Sequence, residues 1–496
     1  MDLQEFTRLA NGGLNILGSL FVLIIGLLLV LVVIFFVVDV TQTKDAVRRN
    51  YPVIGRFRKL FSTLGEFFRQ YFFAMDREEM PFNRAERDWI ANVSAHGSET
   101  LPFGSTRRLS AGAAIFANGM FPKQEGEHIP RRPYVIGKGT PNPFVPNSFF
   151  NISAMSYGSL SKPAIQALSQ GAQLAGCWLN TGEGGVSPYH LEGGCDLVFQ
   201  IGTGKFGVRN EDMTLDEGKL KTLCEQNSQI RMIELKLSQG AKPGKGGILP
   251  ASKVTEEIAK IRGIEAGKAA ISPNRHVEAS NTGELLDLID RVRRISARPT
   301  GIKMAVGQLK PVKDLIREIK KRGLASAPDF ITIDGGDGGT GAAPMPLLDN
   351  MGLTIRESLP AVDDLLVKAG LRKRIAIIAA GKLVTPAEAA WAFCAGADFV
   401  SSARGFMFAL GCIQALKCNE NTCPTGVTTH DRRLQKGLNP ENKSVKVRNY
   451  CHTMCHEVEM IAHSCGVDHP RDLTRDHVLI VQPDGRSIPL SQMWTV

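Results

Sequence analysis

Eight short runs of apolar or β-branched residues recur between residues 149 and 401, and most of them are followed by a helix-like segment. The runs are Phe149–Ser153, Trp178–Thr181, Leu197–Ile201, Met232–Leu235, Gly301–Ala305, Asp329–Ile333, Ile375–Ala379 and Asp398–Ser401. Strands that alternate with helices predict a parallel sheet. Eight such units over about 250 residues favour an α/β chain folded as a (β/α)8 TIM barrel, with a doubly wound sheet as the alternative. The interval from Gln239 to Thr300 is too long for one crossover and predicts a lid or partner-binding insertion.

Composition excludes several classes of protein. Of the 496 residues, 43% are hydrophobic and 22% are charged, which excludes a disordered chain. Ten cysteines in this length do not make a disulfide scaffold. The net charge is +10, and residues 41–75 supply half of it, with seven Lys or Arg against two Asp or Glu. Because this excess lies next to an apolar segment, we do not expect nucleic-acid binding.

That apolar segment runs from Leu14 to Val38 without a charged residue. A helix needs about 20 apolar residues to cross a bilayer, so the segment is long enough. The alternative is a cleaved signal peptide, which requires a basic start and a shorter apolar core. Asp2 and Glu5 lie near the start instead. We therefore predict an uncleaved transmembrane anchor at residues 1–40, and the basic residues that follow it predict a single-pass protein whose catalytic domain is cytoplasmic.

Residues 41–100 form a basic and aromatic juxtamembrane region. Its aromatic residues are Phe57, Phe61, Phe67, Phe68, Tyr71, Phe72 and Phe73. These side chains either lie in the membrane interface as an amphipathic stretch or pack on the catalytic domain, and both interpretations stay open at this point.

Glycines and cations follow three consecutive predicted strands. The loop Asp334–Gly341 holds five glycines, and Ala380–Lys382 and Ser402–Gly405 each add a glycine and a cation. Glycine lets backbone N–H groups approach an anion, and phosphate sites recur at the last loops of barrels, so these loops predict a phosphate site. Gly202–Gly207 matches GxGxxG, but it lies within the barrel pattern and not at the start of a separate nucleotide-binding unit.

Three cysteines, Cys412, Cys418 and Cys423, follow the last predicted strand with the spacing C-x5-C-x4-C and a proline after the third. Zinc usually takes four ligands from closely spaced pairs, whereas three thiolates with a Cys-Pro ending favour an iron–sulfur cluster. Three buried free thiols are the alternative. Cys451, Cys455 and Cys465 near the end of the chain are interpreted as structural thiols, with a second metal site as the alternative.

Lys303 lies inside an otherwise apolar predicted strand. A cation at that position can polarise a flavin or a carboxylate substrate, so we interpret it as functional.

Taken together, the motifs resemble the synthase core of glutamate synthase over about residues 100 to 470. The segments that carry the resemblance, in the family's order, are Ala154–Ser159, Asn180–Gly185, Lys205–Val208, Gln239–Gly244, Gly338–Ala342 and Cys412–Val427. The resemblance implies an FMN-binding barrel at residues 101–410 and a cysteine-rich segment at 411–496 that holds a [3Fe–4S] cluster.

In that family, 2-oxoglutarate and ammonia give 2-iminoglutarate, which reduced FMN converts to L-glutamate, an oxidoreductase reaction on the CH–NH2 group (EC 1.4). By position, the resemblance implies cluster ligation by Cys412, Cys418 and Cys423, and catalytic roles for Lys303, Lys242 and Lys245. The residues that it implies for FMN are Ser156, Gln200, Lys303, Gly338, Gly339, Thr340, Gly381 and Arg404.

The sequence departs from the family pattern both in single residues and in its expected domains. Lys245 stands where the family usually has a glutamate, and a cation in place of a carboxylate reverses the local charge. We also expect neither the family's glutaminase domain nor an NAD(P)H-binding module, so that ammonia comes from solution or a partner and electrons come from a ferredoxin or a membrane carrier. The alternatives are the same fold acting on another amino or hydroxy acid, and a non-catalytic membrane subunit for electron transfer.

Overall fold

A computed structural model describes residues 3–98, 100–124 and 133–493 of the chain. The chain divides into two compact units, Met1–Ala85 and Glu86–Val496.

The first unit is helical. It contains α1 (Leu3–Thr41), α2 (Ala46–Asn50) and α3 (Gly55–Phe68), followed by a π-helical turn at Arg69–Phe73. Within α1, the stretch Asn11–Thr41 is long and apolar enough to cross a membrane, by length and composition alone. This stretch contains the segment that we predict to be an anchor.

The second unit is built around short strands. These are β1 (Ala114–Phe116), β2 (Phe150–Ile152), β3 (Leu179–Asn180), β4 (Leu197–Ile201), β5 (Ile230–Lys236), β6 (Ile248–Leu249), β7 (Ala270–Ile271), β8 (Thr300–Met304), β9 (Phe330–Asp334), β10 (Ala376–Ala380), β11 (Phe399–Ser402), β12 (Val478–Val481) and β13 (Ser487–Pro489).

The remaining α-helices connect or cover these strands. They are α4 (Arg84–His96), α5 (Lys162–Ala175), α6 (Pro188–Leu191), α7 (Glu217–Gln226), α8 (Glu256–Arg262), α9 (Thr282–Ser296), α10 (Lys310–Arg322), α11 (Met345–Asn350), α12 (Ile355–Lys368), α13 (Pro386–Cys394), α14 (Arg404–Ala409), α15 (Arg432–Gln435), α16 (Pro440–Ser464) and α17 (Leu490–Met493). Short 3-10 helices lie at Ala251–Lys253, Leu324–Ser326, Pro470–Asp472 and Arg475–His477.

Eight of the strands close into a barrel in the order β10-β11-β2-β3-β4-β5-β8-β9, and each neighbouring pair is parallel. They are the eight predicted runs, so the TIM barrel is confirmed and the doubly wound sheet was wrong. Every residue of β4, β9 and β10 is buried, as expected for strands covered by helices outside and by side chains inside.

The predicted insertion lies between β5 and β8. It contains the antiparallel pair β6–β7, the 3-10 helix Ala251–Lys253 and α8, and it ends in α9, which leads into β8. Thr255 caps the start of α8 by accepting a hydrogen bond from Ile258 N, and Gly263 ends the helix in a left-handed conformation. The insertion therefore has secondary structure of its own.

Helix α16 packs along α5, the first crossover helix of the barrel. The approach is close at Gly171, where a β-carbon would lie 2.5 Å from Val447 Cβ, so only glycine fits. Buried Tyr450 on the same helix donates a hydrogen bond to Val384 O after β10. These contacts hold the C-terminal segment against the barrel.

Candidate active site

A cavity of about 190 Å³ lies at the carboxyl ends of the barrel strands. All eight barrel strands or the loops that follow them contribute to its lining. Examples in strand order are Ser156, Glu183, Gln200, Lys236, Lys303, Asp334, Gly381 and Arg404. This is the end of a TIM barrel at which active sites form.

One side of the cavity, which we call the strand-end wall, is formed by residues at or just after β8, β9, β10 and β11, namely Lys303, Asp334, Gly339, Thr340, Gly381 and Arg404. Lys303 Nζ lies 3.3 Å from Asp334 Oδ2, and both side chains are buried. Burial alone would lower the pKa of Lys303, but the carboxylates of Asp334 and Glu234 raise it. The ammonium group therefore stays charged at the floor of the cavity.

Glu234 organises the interior of the barrel directly below. Its carboxylate accepts hydrogen bonds from Gln200 Nε2 at 2.6 Å, Asn180 Nδ2 at 2.8 Å and Thr332 Oγ1 at 2.5 Å. This network fixes the orientation of Gln200. Sequence reasoning missed Glu234, although a charged residue inside an apolar strand is the same signal that pointed to Lys303.

The glycine loops that the sequence predicts to bind phosphate border the cavity. Gly339, Thr340 and Gly381 line the cavity, and Arg404 Nη2 donates a hydrogen bond to Thr340 O at 2.5 Å. Gly338 does not line it. A β-carbon at Gly338 would lie 2.9 Å from Gly335 O, so this glycine lets the loop fold under the cavity.

A second part of the lining, which we call the insertion wall, is formed by residues of the insertion, namely Gln239, Lys242, Gly247, Ile248, Leu249, Pro250, Lys253, Arg262 and Ser272. Lys242 is buried, and burial together with the charges of Lys236 and Lys245 lowers its pKa to about 8. Burial lowers the pKa of Arg262 to about 10. The predicted insertion is thus part of the site.

Glu183 lies among the cations of the cavity. Lys236 Nζ donates to Glu183 Oε1 at 3.0 Å. Burial alone would raise the pKa of Glu183, but Lys236 and Lys242 hold it below its usual value. Gly202 and Gly247 make room for it, because a β-carbon at either position would lie within 2.5 Å of a Glu183 oxygen.

Sequence reasoning missed three polar residues of the insertion wall, Lys253, Arg262 and Ser272. Two of their atoms, Arg262 Nε and Ser272 Oγ, are buried without a hydrogen-bond partner in the described part of the chain. The interval that predicted an insertion was the available signal, but no local pattern shows which of its residues return to the barrel.

Positive charge dominates the cavity. Its lining includes seven cationic side chains and two carboxylates, namely Lys236, Lys242, Lys253, Arg262, Lys303, Lys382 and Arg404 against Glu183 and Asp334. Such a lining fits a ligand, or two ligands together, carrying several negative charges.

Lys245, the third lysine for which we predict a catalytic role, does not line the cavity. Its side chain is exposed, and its backbone N–H donates to Lys242 O at 3.3 Å. Its positive charge still affects the site, because it helps to lower the pKa of Lys242.

The three cysteines of the C-x5-C-x4-C segment line one small cavity beside the barrel mouth. Burial raises the pKa of Cys412. Burial alone would also raise the pKa of Cys423, but hydrogen bonds from Thr425 and Thr428 lower it. Among the described residues, no group of three His, Cys, Asp or Glu side chains is placed around a single metal ion.

The cysteine cavity and the barrel cavity are neighbours. Met407, Cys418 and Thr428 line both of them. Lys253 of the insertion wall donates to Cys418 O at 2.8 Å and to Ser159 O at 3.1 Å, so it ties the cysteine segment to the loop after β2.

Of the later cysteines, Cys451 is buried and donates a long hydrogen bond to Phe150 O at 3.6 Å. Cys455 lies 3.6 Å from Ser148 Oγ. None of the ten cysteines, all of which lie within the described residues, forms a disulfide bond.

Comparison with known proteins decides the family. The sequence profile described as a conserved region in glutamate synthase matches residues 133–468, which include the barrel and the cysteine segment. The chain belongs to the glutamate synthase family. The resemblance seen in the sequence is thereby confirmed, and the chain is an oxidoreductase of the class that acts on CH–NH2 groups.

Relatives within the glutamate synthase family differ in how much of the chain they share. The glutamate synthase large subunit-like protein YerD of Bacillus subtilis (strain 168) is 41% identical over 523 residues, which cover 97% of this chain and 98% of the relative. The archaeal-type glutamate synthase [NADPH] of Thermotoga sp. (strain RQ2) is 33% identical over 319 residues, which cover 64% of this chain and 59% of the relative. Among solved structures, a mutant of an active chimera of (S)-mandelate dehydrogenase is 12% identical, with a TM-score of 0.47 over 86% of this chain and 98% of that one.

Proposed function

We propose that the chain is an FMN- and [3Fe–4S]-dependent glutamate synthase that reduces 2-iminoglutarate, formed from 2-oxoglutarate and ammonia, to L-glutamate. The observation that carries the proposal is the cationic cavity at the barrel mouth, with the cysteine cavity sharing its wall. Membership of the glutamate synthase family supports the reaction class.

The residues of the strand-end wall fit FMN. Gly339 and Gly381 present backbone without side chains, and Arg404 supplies a cation beside them, which suits a phosphate group. Lys303, Gln200 and Ser156 line the same cavity and would hold the flavin ring there. Gly338 belongs to the same loop but does not line the cavity, and it packs closely on Gly335 O.

Three cysteines around one cavity fit a multi-iron cluster. The thiolates of such a cluster bind different iron atoms, so they need to surround a space and not meet at a single ion. Cys412, Cys418 and Cys423 do surround one. When bound, FMN supplies hydride transfer and the cluster supplies single electrons.

The insertion wall fits a dicarboxylate substrate. Lys242 and Arg262 are buried cations, and Arg262 Nε has no protein partner among the described residues, so a substrate carboxylate satisfies it. Glu183 remains ionised beside Lys236 and holds a proton-accepting oxygen in the cavity.

We propose that ammonia comes from solution or from a partner, and that a ferredoxin or a membrane carrier donates electrons. Lys245 motivates the alternative substrates, but it lies outside the cavity, so 2-oxoglutarate remains the proposed substrate.

The proposal is tested with full-length protein purified without oxygen in detergent. FMN, iron and sulfide are quantified, and the chemically reduced protein is mixed with ammonium and either 2-oxoglutarate, pyruvate or oxaloacetate. We expect rapid flavin reoxidation and glutamate formation with 2-oxoglutarate alone. Reoxidation by another 2-oxo acid but not by 2-oxoglutarate would transfer the proposal to that substrate, and a protein without flavin would refute it.

The cluster is tested by Cys423→Ser, with Cys455→Ser as the matched control. We expect Cys423→Ser to lose iron while it keeps FMN, and Cys455→Ser to keep both. Equal iron content in the two variants would contradict ligation by the C-x5-C-x4-C segment.

We also propose that α1 anchors the chain in a membrane as a single span, with the second unit on the cytoplasmic side. Support comes from the apolar length of Asn11–Thr41 and from the basic residues that follow it. We expect the protein to stay in cell membranes during alkaline extraction. We also expect its C-terminus to be protected from protease added outside the cell. Release by alkaline extraction would contradict the anchor.

A further inference from the structure

The apolar stretch of α1 ends at a buried ion-pair cluster. Asp39 is fully buried, and Arg48 and Arg56 each donate two hydrogen bonds to its carboxylate, at 2.6–3.0 Å. Val53 N donates a fifth at 3.1 Å. We call this group the Asp39 cluster. It ties the start of α3 to the end of α1.

The backbone around the Asp39 cluster is shaped to make these contacts. Val53 has a φ of 65°, which is rare for a β-branched residue. A β-carbon at Gly55 would lie 2.9 Å from Arg48 Cα, so the close approach of α2 and α3 requires glycine there. Strained backbone persists where surrounding contacts enforce it, so the direction of α3 is set by the cluster.

The Asp39 cluster also fixes where α3 begins relative to the apolar stretch of α1. The Arg56 guanidinium lies 4.1 Å from the centre of the Phe35 ring, and Phe35 belongs to the last turn of the apolar run Leu14–Val38. The first turn of α3 is therefore beside the last apolar turn of α1. In a membrane, this is the boundary between acyl chains and headgroups.

Helix α3 has two different faces. At 100° per residue, Phe57, Leu60, Phe61, Leu64 and Phe68 fall within about 100° of its circumference. Phe61 is 66% exposed, and Phe57, Leu60 and Phe68 are also exposed. An exposed aromatic stripe of this kind needs a covering surface.

The other face of α3 carries two cations, Arg58 and Lys59, and by helical spacing one acidic residue, Glu66. Arg58 and Lys59 are exposed, and no ion pair involves either of them among the described residues. Lys44, Arg49 and Arg69 are exposed nearby in sequence, within the stretch of net charge +5. A basic surface next to an apolar stripe complements anionic lipid headgroups.

We propose that α3 lies in the plane of the membrane surface, with its aromatic face among the upper acyl chains and its basic face on anionic phospholipid headgroups. This inference rests on the proposed anchor and adds a second, charge-selective contact with the same bilayer. Of the two interpretations of the aromatic residues that the sequence left open, it selects the interfacial one.

The test uses full-length protein carrying one added tryptophan, in liposomes of phosphatidylglycerol whose acyl chains are brominated. The positions are Phe61→Trp on the aromatic face, Ser62→Trp on the polar face as the matched control, and Leu23→Trp in α1. Emission of the unsubstituted protein is subtracted. We expect lipids brominated near the headgroup to remove most of the Phe61→Trp emission and little of the Ser62→Trp emission, while lipids brominated deeper remove that of Leu23→Trp.

Equal quenching of Phe61→Trp and Ser62→Trp, with Leu23→Trp quenched, would overturn the inference and leave the anchor standing. An unquenched Leu23→Trp would overturn both. For the charge, we expect Phe61→Trp quenching to fall in brominated phosphatidylcholine and in the R58Q/K59Q background. Unchanged quenching in both would overturn the selectivity for anionic lipid.

Discussion

The strand-end wall and the insertion wall of the cavity are held in place by different forces. At the strand-end wall, backbone hydrogen bonds of the barrel set the positions, as between Gly335 N and Ala380 O at 2.9 Å. At the insertion wall, side-chain contacts add to a backbone hydrogen bond from Ala241 N to Gly336 O at 2.9 Å. Tyr157 OH donates to Glu257 on α8 at 2.6 Å, and Arg262 donates to Tyr157 O at 3.2 Å. The first wall is therefore part of the barrel, whereas the second is docked on it.

The largest expected effect comes from breaking the buried ion pair of the strand-end wall. Lys303→Met leaves the Asp334 carboxylate without its cation, which lowers the free energy of unfolding by about 3–5 kcal/mol. Urea unfolding in detergent, followed by near-ultraviolet circular dichroism, measures it. The double variant K303M/D334N removes the uncompensated charge and is expected to recover part of the loss. No recovery would show that the pair is not the source of the effect.

The junction between the two walls is tested by Gly240→Ala. A β-carbon there would lie 2.0 Å from Gly335 O, so the insertion and the glycine loop are forced apart. We expect a loss of about 1–3 kcal/mol in the free energy of unfolding and roughly tenfold weaker FMN binding. Gly307→Ala is the matched control, since nothing lies within 4 Å of its β-carbon. FMN affinity equal in the two variants would mean that the walls are not coupled at this point.

The insertion wall alone is tested by pH, because the pKa of Lys242 is lowered to about 8. Lys242 is charged below that pH and neutral above it, so we expect the affinity for the proposed substrate, 2-oxoglutarate, to weaken as the pH rises through 8. The dissociation constant, read from flavin absorbance, is expected to rise by up to about tenfold per pH unit above pH 8. Lys242→Arg stays charged and is expected to flatten this dependence. If the pH dependence of the dissociation constant persists in Lys242→Arg, another group causes it. Lys253 is a candidate, because its pKa is also lowered to about 8.

The smallest effect is expected at Lys245. Its side chain is exposed, so Lys245→Glu changes the free energy of unfolding by no more than about 0.5 kcal/mol. Because Lys245 helps to lower the pKa of Lys242, the carboxylate raises that pKa, and the pH dependence of 2-oxoglutarate binding moves upward. A change in which 2-oxo acid reacts would instead place Lys245 in direct contact with substrate.

The same contrast explains what the sequence could predict. The barrel strands were predicted within a few residues, since each is an apolar run that the barrel buries on both faces. Lys303, Gly381 and Arg404 followed from their positions at strand ends. Arg262 and Ser272 did not, because they reach the cavity only through the path of the insertion, which depends on contacts far apart in sequence.

Two further differences arise from tertiary structure. Gly338 belongs to a loop that the sequence predicts to bind phosphate, but the loop turns so that this glycine faces Gly335 and not the cavity. Lys245 belongs to the same motif as Lys242. Lys242 lines the cavity, whereas Lys245, three residues later, does not. A motif locates a loop, while the backbone path decides which of its residues face the ligand.

Met407, Cys418 and Thr428 border the barrel cavity on one side and the cysteine cavity on the other. The partition is a single layer of side chains, so any change of volume in it is felt in both chambers. A substitution that widens the barrel cavity for a bulkier acid is therefore expected to change the cysteine cavity as well. A substitution chosen to reshape one chamber is therefore best assessed by measuring its effect on the other chamber as well.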